Sequence, residues 1–200
     1  MIVRSLKAFG YFLVGVMLAL LIVLPAQAAN PFNDARAATR LLKSATVQGT
    51  CSAVVIAPEI ALTAKHCTGL PDMLVDGLPA AVARTHPTED IAQLSVPGLG
   101  CPCVQIGADR PALDETIVVV GYLYGDIKVT SRGEYLGPAI SPDKEHYGLA
   151  TAAVGPGMSG GGVYRVYVTG EVRLVGVLSG MPPQGNVAFY VEVSRDAAPW

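Results

Sequence analysis

The stretch GPGMSGGG, Gly155–Gly162, sets a single serine among five glycines. Glycine-rich runs of this kind commonly serve as flexible connectors. This one lies between two apolar segments, YGLATAAV before it and VYRVYV after it, and its window Gly157–Gly161 spells Gly-x-Ser-x-Gly. That window occurs in several unrelated hydrolases, which differ in where the base and acid that activate the serine fall along the chain. The position of the histidines therefore decides among folds.

The histidines are His66, His86 and His146, and all three precede Ser159. Nucleophile-elbow hydrolases place serine first, then acid, then histidine, so that order is excluded. An order with histidine first and serine last survives. A serine hydroxyl is a poor nucleophile until a neighbouring base takes its proton, so the histidine must be presented by a rigid element. His66 sits in APEIALTAKHCTG, where the apolar run IALTA delivers it and Cys67 follows at once. A bridge from Cys67 back to Cys51 would close a loop of roughly 15 residues and stabilise the fold by about 3 kcal/mol. His86 lacks this framing and reads as a loop residue.

The motifs LTAKHC, EDIAQL and GPGMSGGG, in that order, resemble the histidine, aspartate and serine motifs of the trypsin/chymotrypsin-like serine peptidases, most closely their small bacterial or viral type. The resemblance spans about Ala45 to Val193. It implies an all-β fold of two packed six-stranded antiparallel β-barrels, with the active site in the cleft between them. It also implies a triad of His66 as general base and acid, Asp90 orienting the imidazole, and Ser159 as nucleophile. Glu89 is the rival for the acid. Asp90 is preferred because Ile91, Leu94 and Val96 carry its strand into a core. The oxyanion donors implied are the backbone N–H groups of Gly157 and Ser159, with glycine at 157 because only bare backbone can curl so closely. Gly160 and Gly161 would let the next strand pack behind the nucleophile. Met158 departs from relatives that carry an aspartate there to pair with a newly freed amino terminus, so an oxyanion loop held by local packing is expected. Alignment on Ser159 puts Ala153 at the base of the specificity pocket. It makes Ser179, Gly180 and Met181 the strand that pairs with substrate backbone and sets Ala188 on the far wall. With no acid at Ala153, a small or apolar P1 side chain is expected rather than Lys or Arg.

The strand pattern agrees. From Ala45 onward, short β-branched runs alternate with Gly, Pro and Asp: TCSAVVIA, IALTA, AAVARTH, DIAQLSV, ETIVVVGYLYG, IKVTSRGEYLG, YGLATAAV, GVYRVYV, EVRLVGVLSG and NVAFYVEVS. A break at VPGLGCPC, residues 96–103, divides them into a first barrel over 45–100 and a second over 101–200. Helical periodicity is confined to a weak segment around Asp34–Lys43 and the last residues, SRDAAPW. Residues 29–44 are a terminal arm packed on the barrels or a short propeptide with Arg36, Arg40 or Lys43 as processing sites.

Residues 1–28 have the order of a secretory signal peptide: Arg4 and Lys7, an uncharged apolar run from Ala8 to Leu24, then Pro25 and Ala26-Gln27-Ala28. The competing reading is an uncleaved anchor. Removal of the leader takes two of the 14 basic residues and none of the 16 acidic ones, moving the net charge from -2 to -4. Such a chain has no electrostatic reason to bind nucleic acid, and no second apolar run is long enough for a membrane. The expectation is a secreted or periplasmic monomer acting on a protein or peptide substrate, without cofactor. Four cysteines suit an oxidising compartment. Cys101 and Cys103 could bridge locally, pair outside the chain or bind metal, the last disfavoured because no second ligand pair stands at zinc spacing. The alternative function is a catalytically inactive, peptidase-like binding protein.

Overall fold

A computed structural model describes residues 32–181 and 187–193. The leader, the segment 182–186 and the terminal SRDAAPW lie outside the described residues. The element order is a short helix α1 (Phe32–Ala38) followed by thirteen strands. These are β1 (Thr39–Ser44), β2 (Thr50–Ala57), β3 (Ile60–Thr63), β4 (Met73–Val75), β5 (Leu78–Pro79), β6 (Ala81–Thr85) and β7 (Ala92–Ser95), then β8 (Thr116–Leu123), β9 (Ile127–Ile140), β10 (His146–Ala150), β11 (Gly162–Val166), β12 (Val172–Gly180) and β13 (Ala188–Glu192). Each run read as a strand in the sequence overlaps one of these strands.

The first seven strands form a single antiparallel sheet in the order β5-β4-β1-β2-β3-β7-β6, and the last six close a barrel in the order β10-β13-β12-β11-β8-β9. The two-barrel architecture is the one expected, with a difference in the first half: it is a curled, open seven-stranded sheet with β5 and β6 at its edges. Residues 39–44, placed outside the first barrel on sequence grounds, form β1 near its centre, pairing with β2 through Leu42↔Cys51 and with β4 through Leu42↔Val75. The segment was unreadable because Arg40 and Lys43 interrupt its apolar alternation. The helix ends at Ala38, where that strand begins.

Strand periodicity explains why β2 and β8 are nearly continuously apolar. In β2, Val54 faces the junction of the two halves while Ala53 and Val55 face the interior of the first sheet. In β8, Val118 and Val120 face the junction while Ile117 and Val119 fill the closed barrel. Strands buried on both faces lose the usual apolar-polar alternation. The junction core also takes Ala35 and Ala38 of α1, both fully buried. Thr39 at its end donates to the Ala35 carbonyl (2.8 Å) and meets the hydroxyl of buried Tyr164 (3.0 Å). Arg36 donates to the Thr130 hydroxyl of β9, and Lys128 donates back to the Arg36 carbonyl at 2.7 Å. The arm is thus wedged against both halves, and all three of its basic residues lie inside its helix or strand.

Candidate active site

Strand β3 ends at Thr63, and Lys65–Gly69 continue as a 3-10 turn that carries His66. Cys67 in this turn is bridged to Cys51 in β2. The bridge anchors the turn to the sheet beside a histidine whose side chain is half exposed. The segment His86–Ile91 arrives alongside. His86 N donates to the Ile91 carbonyl (3.0 Å), and Lys65 Nζ donates to the His86 carbonyl (2.9 Å), tying the segment to the histidine turn.

Asp90, at the end of that segment, grips His66 at two points. Its Oδ1 accepts the His66 backbone N–H at 2.9 Å, and its Oδ2 accepts from Nδ1 at 2.8 Å. The side-chain hydroxyl of Ser179 donates to the same Oδ2. Burial by itself would push the carboxyl up, but the hydrogen bonds from the His66 ring, Ser179 and the His66 amide outweigh it and hold the carboxyl below its usual range. Conversely the hydrogen bond to Asp90, partly opposed by burial and helped by the carboxylate's charge, raises His66 above an ordinary imidazole.

Ser159 is brought to the same place. Its hydroxyl donates to the Ser179 carbonyl at 3.0 Å, and its own carbonyl lies 3.9 Å from Cys67 Sγ and accepts the Ser52 amide at 2.7 Å. Ser179 therefore touches both the aspartate, through its hydroxyl, and the serine, through its carbonyl. The expected histidine, aspartate and serine converge at the junction between the first sheet and the closed barrel.

The loop before Ser159 has a defined backbone. Gly157 adopts φ +88°, and a Cβ there would lie 2.7 Å from the Tyr122 carbonyl. The Pro156 carbonyl accepts the Tyr124 amide at 2.8 Å. In a planar trans peptide this turns the Gly157 N–H to the opposite side. Among the described residues, neither the Gly157 nor the Ser159 amide has an acceptor within the chain. Met158 between them is 1% exposed, its side chain in the core of the closed barrel with Tyr135 and Leu178. The Ser52 hydroxyl holds the loop from the other side, donating to the Gly157 carbonyl (3.0 Å) while accepting the Tyr122 amide (2.8 Å). Gly160, at φ +82°, packs so closely on β2 and β3 that a Cβ would fall 2.0 Å from the Ser52 carbonyl.

The remaining expected contacts divide. Ala153 and Met181 are exposed, the latter at 46%, and Ser179 and Gly180 are half-buried at the end of β12. Ala188 departs from expectation. It is fully buried in the core of the closed barrel, paired with Ala150, because β13 turns its Ala188 and Tyr190 side inward. Glu89 points away from His66. Its carboxylate accepts the amide (2.8 Å) and meets Nδ1 (3.1 Å) of His146 in β10, tying the aspartate segment to the second half. Cys51, His66 and Cys67 cluster as metal ligands would, but both sulfurs are committed to the disulfide, which leaves one free donor. Cys101 and Cys103 are bridged to each other.

Residues 51–177 match the trypsin-like peptidase domain. The chain belongs to that family. Among solved structures, the peptidase is similar to the active form of the Rv3671c protease of M. tuberculosis, with TM-score 0.71 and 21% identity over 84% of this chain and 82% of that one. It is also similar to the HtrA-type protease AlgW solved with a tripeptide, with TM-score 0.72 and 22% identity over 82% of this chain and 59% of that one. The serine endoprotease of Yersinia pestis superposes with TM-score 0.68 and 18% identity over 84% and 63% of the two chains. At these identities the likeness is one of fold. No curated protein matches the peptidase significantly in sequence.

Two side chains in this site escaped sequence reasoning. Ser52 carries no motif of its own, and its partners lie 70 and 105 residues away along the chain. Ser179 was expected to offer only its backbone. The signal available in sequence was its place in LSGM, which does not reveal where its hydroxyl points.

Proposed function

We propose that the peptidase is an exported serine endopeptidase that cleaves peptide bonds through an acyl-enzyme. The observation that carries this reading is the two-point grip of Asp90 on His66, which commits Nδ1 to the carboxylate and leaves Nε2 as the base. In this mechanism the Ser159 side chain leaves the Ser179 carbonyl for another staggered well and presents its hydroxyl to that nitrogen. His66 then takes the proton as Oγ attacks the scissile carbonyl, and Asp90 stabilises the imidazolium that results. The unpaired amides of Gly157 and Ser159 receive the developing oxyanion. His66 returns its proton to the leaving amine, and water, activated by the same nitrogen, releases the acyl group.

Because Met158 lies in the core, the oxyanion loop needs no new amino terminus to hold it; Ser52, Tyr124 and the Met158 packing supply the hold. For the same reason residues 32–44 are a retained arm rather than a propeptide: cleavage at Arg36, Arg40 or Lys43 would cut α1 or β1, whose side chains pack in the core. A small or apolar P1 side chain is favoured by exposed Ala153, which offers no counter-charge to Lys or Arg, and by exposed Met181. Export rests on the leader pattern and agrees with two disulfides. The substrate is an extended polypeptide bound along β12. Digestion of an unbiased peptide library by the mature protein tests this: internal cuts after small apolar residues are expected, and cuts chiefly after arginine or lysine contradict it.

A further inference from the structure

The disulfide between Cys101 and Cys103 has no part in the site just described and little part in holding the fold. Loop-closure stabilisation grows with the logarithm of the enclosed chain, so a bridge between residues 2 apart constrains far less than the 16-residue span from Cys51 to Cys67. Their surroundings differ in the same sense. Cys51 and Cys67 are 7% and 1% exposed and belong to the core of the first sheet. Cys101 and Pro102 are exposed, while Cys103 is half-buried with one side against that core.

The flanking backbone is pinned independently of the bridge. On one side Glu59 N donates to the Leu99 carbonyl (2.8 Å), and on the other Val104 N donates to the Val55 carbonyl (3.0 Å). Opening the bridge therefore leaves the connection between β7 and β8 in place. Both thiols stay within reach of each other, ready to close again.

We infer that Cys101–Cys103 is a reversible thiol–disulfide exchange site whose reaction partner is a dithiol, and that Cys51–Cys67 is the structural bridge. An incoming thiolate bonds to the exposed Cys101 sulfur, and the S–S electron pair leaves on Cys103, whose thiolate takes a proton from water. With a monothiol the reaction stalls there, because Cys103, two residues away, expels the incoming group at high effective concentration. With a dithiol the second thiolate attacks the reductant's own sulfur in the mixed disulfide and frees the Cys101 thiolate. The protein gains two electrons and two protons, and the dithiol leaves as a disulfide.

The test is a titration of the native oxidised protein with dithiothreitol, trapping with N-ethylmaleimide and assignment of the labelled cysteines by peptide mass spectrometry. Cys101 and Cys103 should become labelled together at a dithiol concentration at least about tenfold below that needed for Cys51 and Cys67. Glutathione at equal thiol concentration should label them far less. The inference is overturned if the two bridges open at the same concentration, if Cys51–Cys67 opens first, if Cys101 and Cys103 are already free thiols in protein exported to an oxidising compartment, or if glutathione matches dithiothreitol. Peptide cleavage plays no part in this readout, so its outcome is independent of the proposed activity.

Discussion

Replacing Ser52 with alanine should separate holding the loop before Ser159, the proposed oxyanion loop, from holding the fold. The hydroxyl is buried and makes two bonds to backbone, one to the Gly157 carbonyl at 3.0 Å and one from the Tyr122 amide at 2.8 Å. Its removal orphans both groups, each at about 1–3 kcal/mol when fully buried. Gly157 and Tyr122 are only half-buried, so water recovers part of this and the sum should be about 2–3 kcal/mol. For a chain of this size that lowers Tm by about 4–12 °C. The kinetic consequence comes through Gly157, whose carbonyl loses the contact that fixes the plane of the loop. Complete removal of an oxyanion donor typically costs about 3–4 kcal/mol. A donor that wanders costs less, so kcat should fall about 10- to 100-fold, or about 1.4–2.7 kcal/mol, with KM little changed. Thermal unfolding and steady-state cleavage of a chromogenic peptide, measured well below the lowered Tm, read the two effects separately. A Ser52→Ala protein with a reduced Tm but wild-type kcat would refute the assignment of Ser52 to the loop.

The pH dependence has a definite sign. Because Asp90 raises His66, kcat/KM should increase with pH through a midpoint above the ordinary imidazole value of about 6.5; Asp90→Asn should move that midpoint down and lower kcat by about 10⁴-fold, and a flat profile from about pH 5 to 8 counts against His66 as base. Gly160→Ala forces a left-handed φ and a Cβ into the Ser52 carbonyl, so the denaturation midpoint should report a loss of about 2–5 kcal/mol, and an unchanged midpoint would show the approach to be looser than described. Met158→Asp buries a carboxylate among the apolar side chains of the closed barrel, and equilibrium unfolding should show about 3–5 kcal/mol lost; activity that appears only after trimming to a new amino terminus would show that this loop is held by a freed terminus rather than by packing.

Much of this was legible because the determining signals are local. The ten runs read as strands are punctuated by turn residues, and the nearly unbroken apolar character of β2 and β8 reflects burial on both faces. The candidate residues His66, Asp90 and Ser159 could be picked out because LTAKHC, EDIAQL and GPGMSGGG stand in that order, with all three histidines before the serine. What was missed is what depends on distant pairing. Strand β1 is interrupted by Arg40 and Lys43, yet Leu42 between them is fully buried because two partner strands fix its register. The short strands β4 and β5, MLV and LP, carry too few residues for periodicity. Ser52 and the Ser179 hydroxyl act on groups far away in sequence, and Ala188 was placed on a pocket wall because a linear alignment does not tell which side of β13 turns inward. Glu89 and Asp90 are adjacent carboxylates; the motif favours Asp90 as the partner of His66, but the meeting of Glu89 with His146, 57 residues away, has no signal in the sequence.

In the proposed function Ser159 is a nucleophile activated by His66. Reaction of the native protein with a fluorophosphonate probe, followed by mass spectrometry of the adduct, addresses it directly. A single adduct on Ser159 is predicted for the wild type, with labelling abolished in Ser159→Ala and His66→Ala. A wild-type protein that stays unlabelled while fully folded would contradict this activation and support the alternative of a catalytically inactive, peptidase-like binding protein.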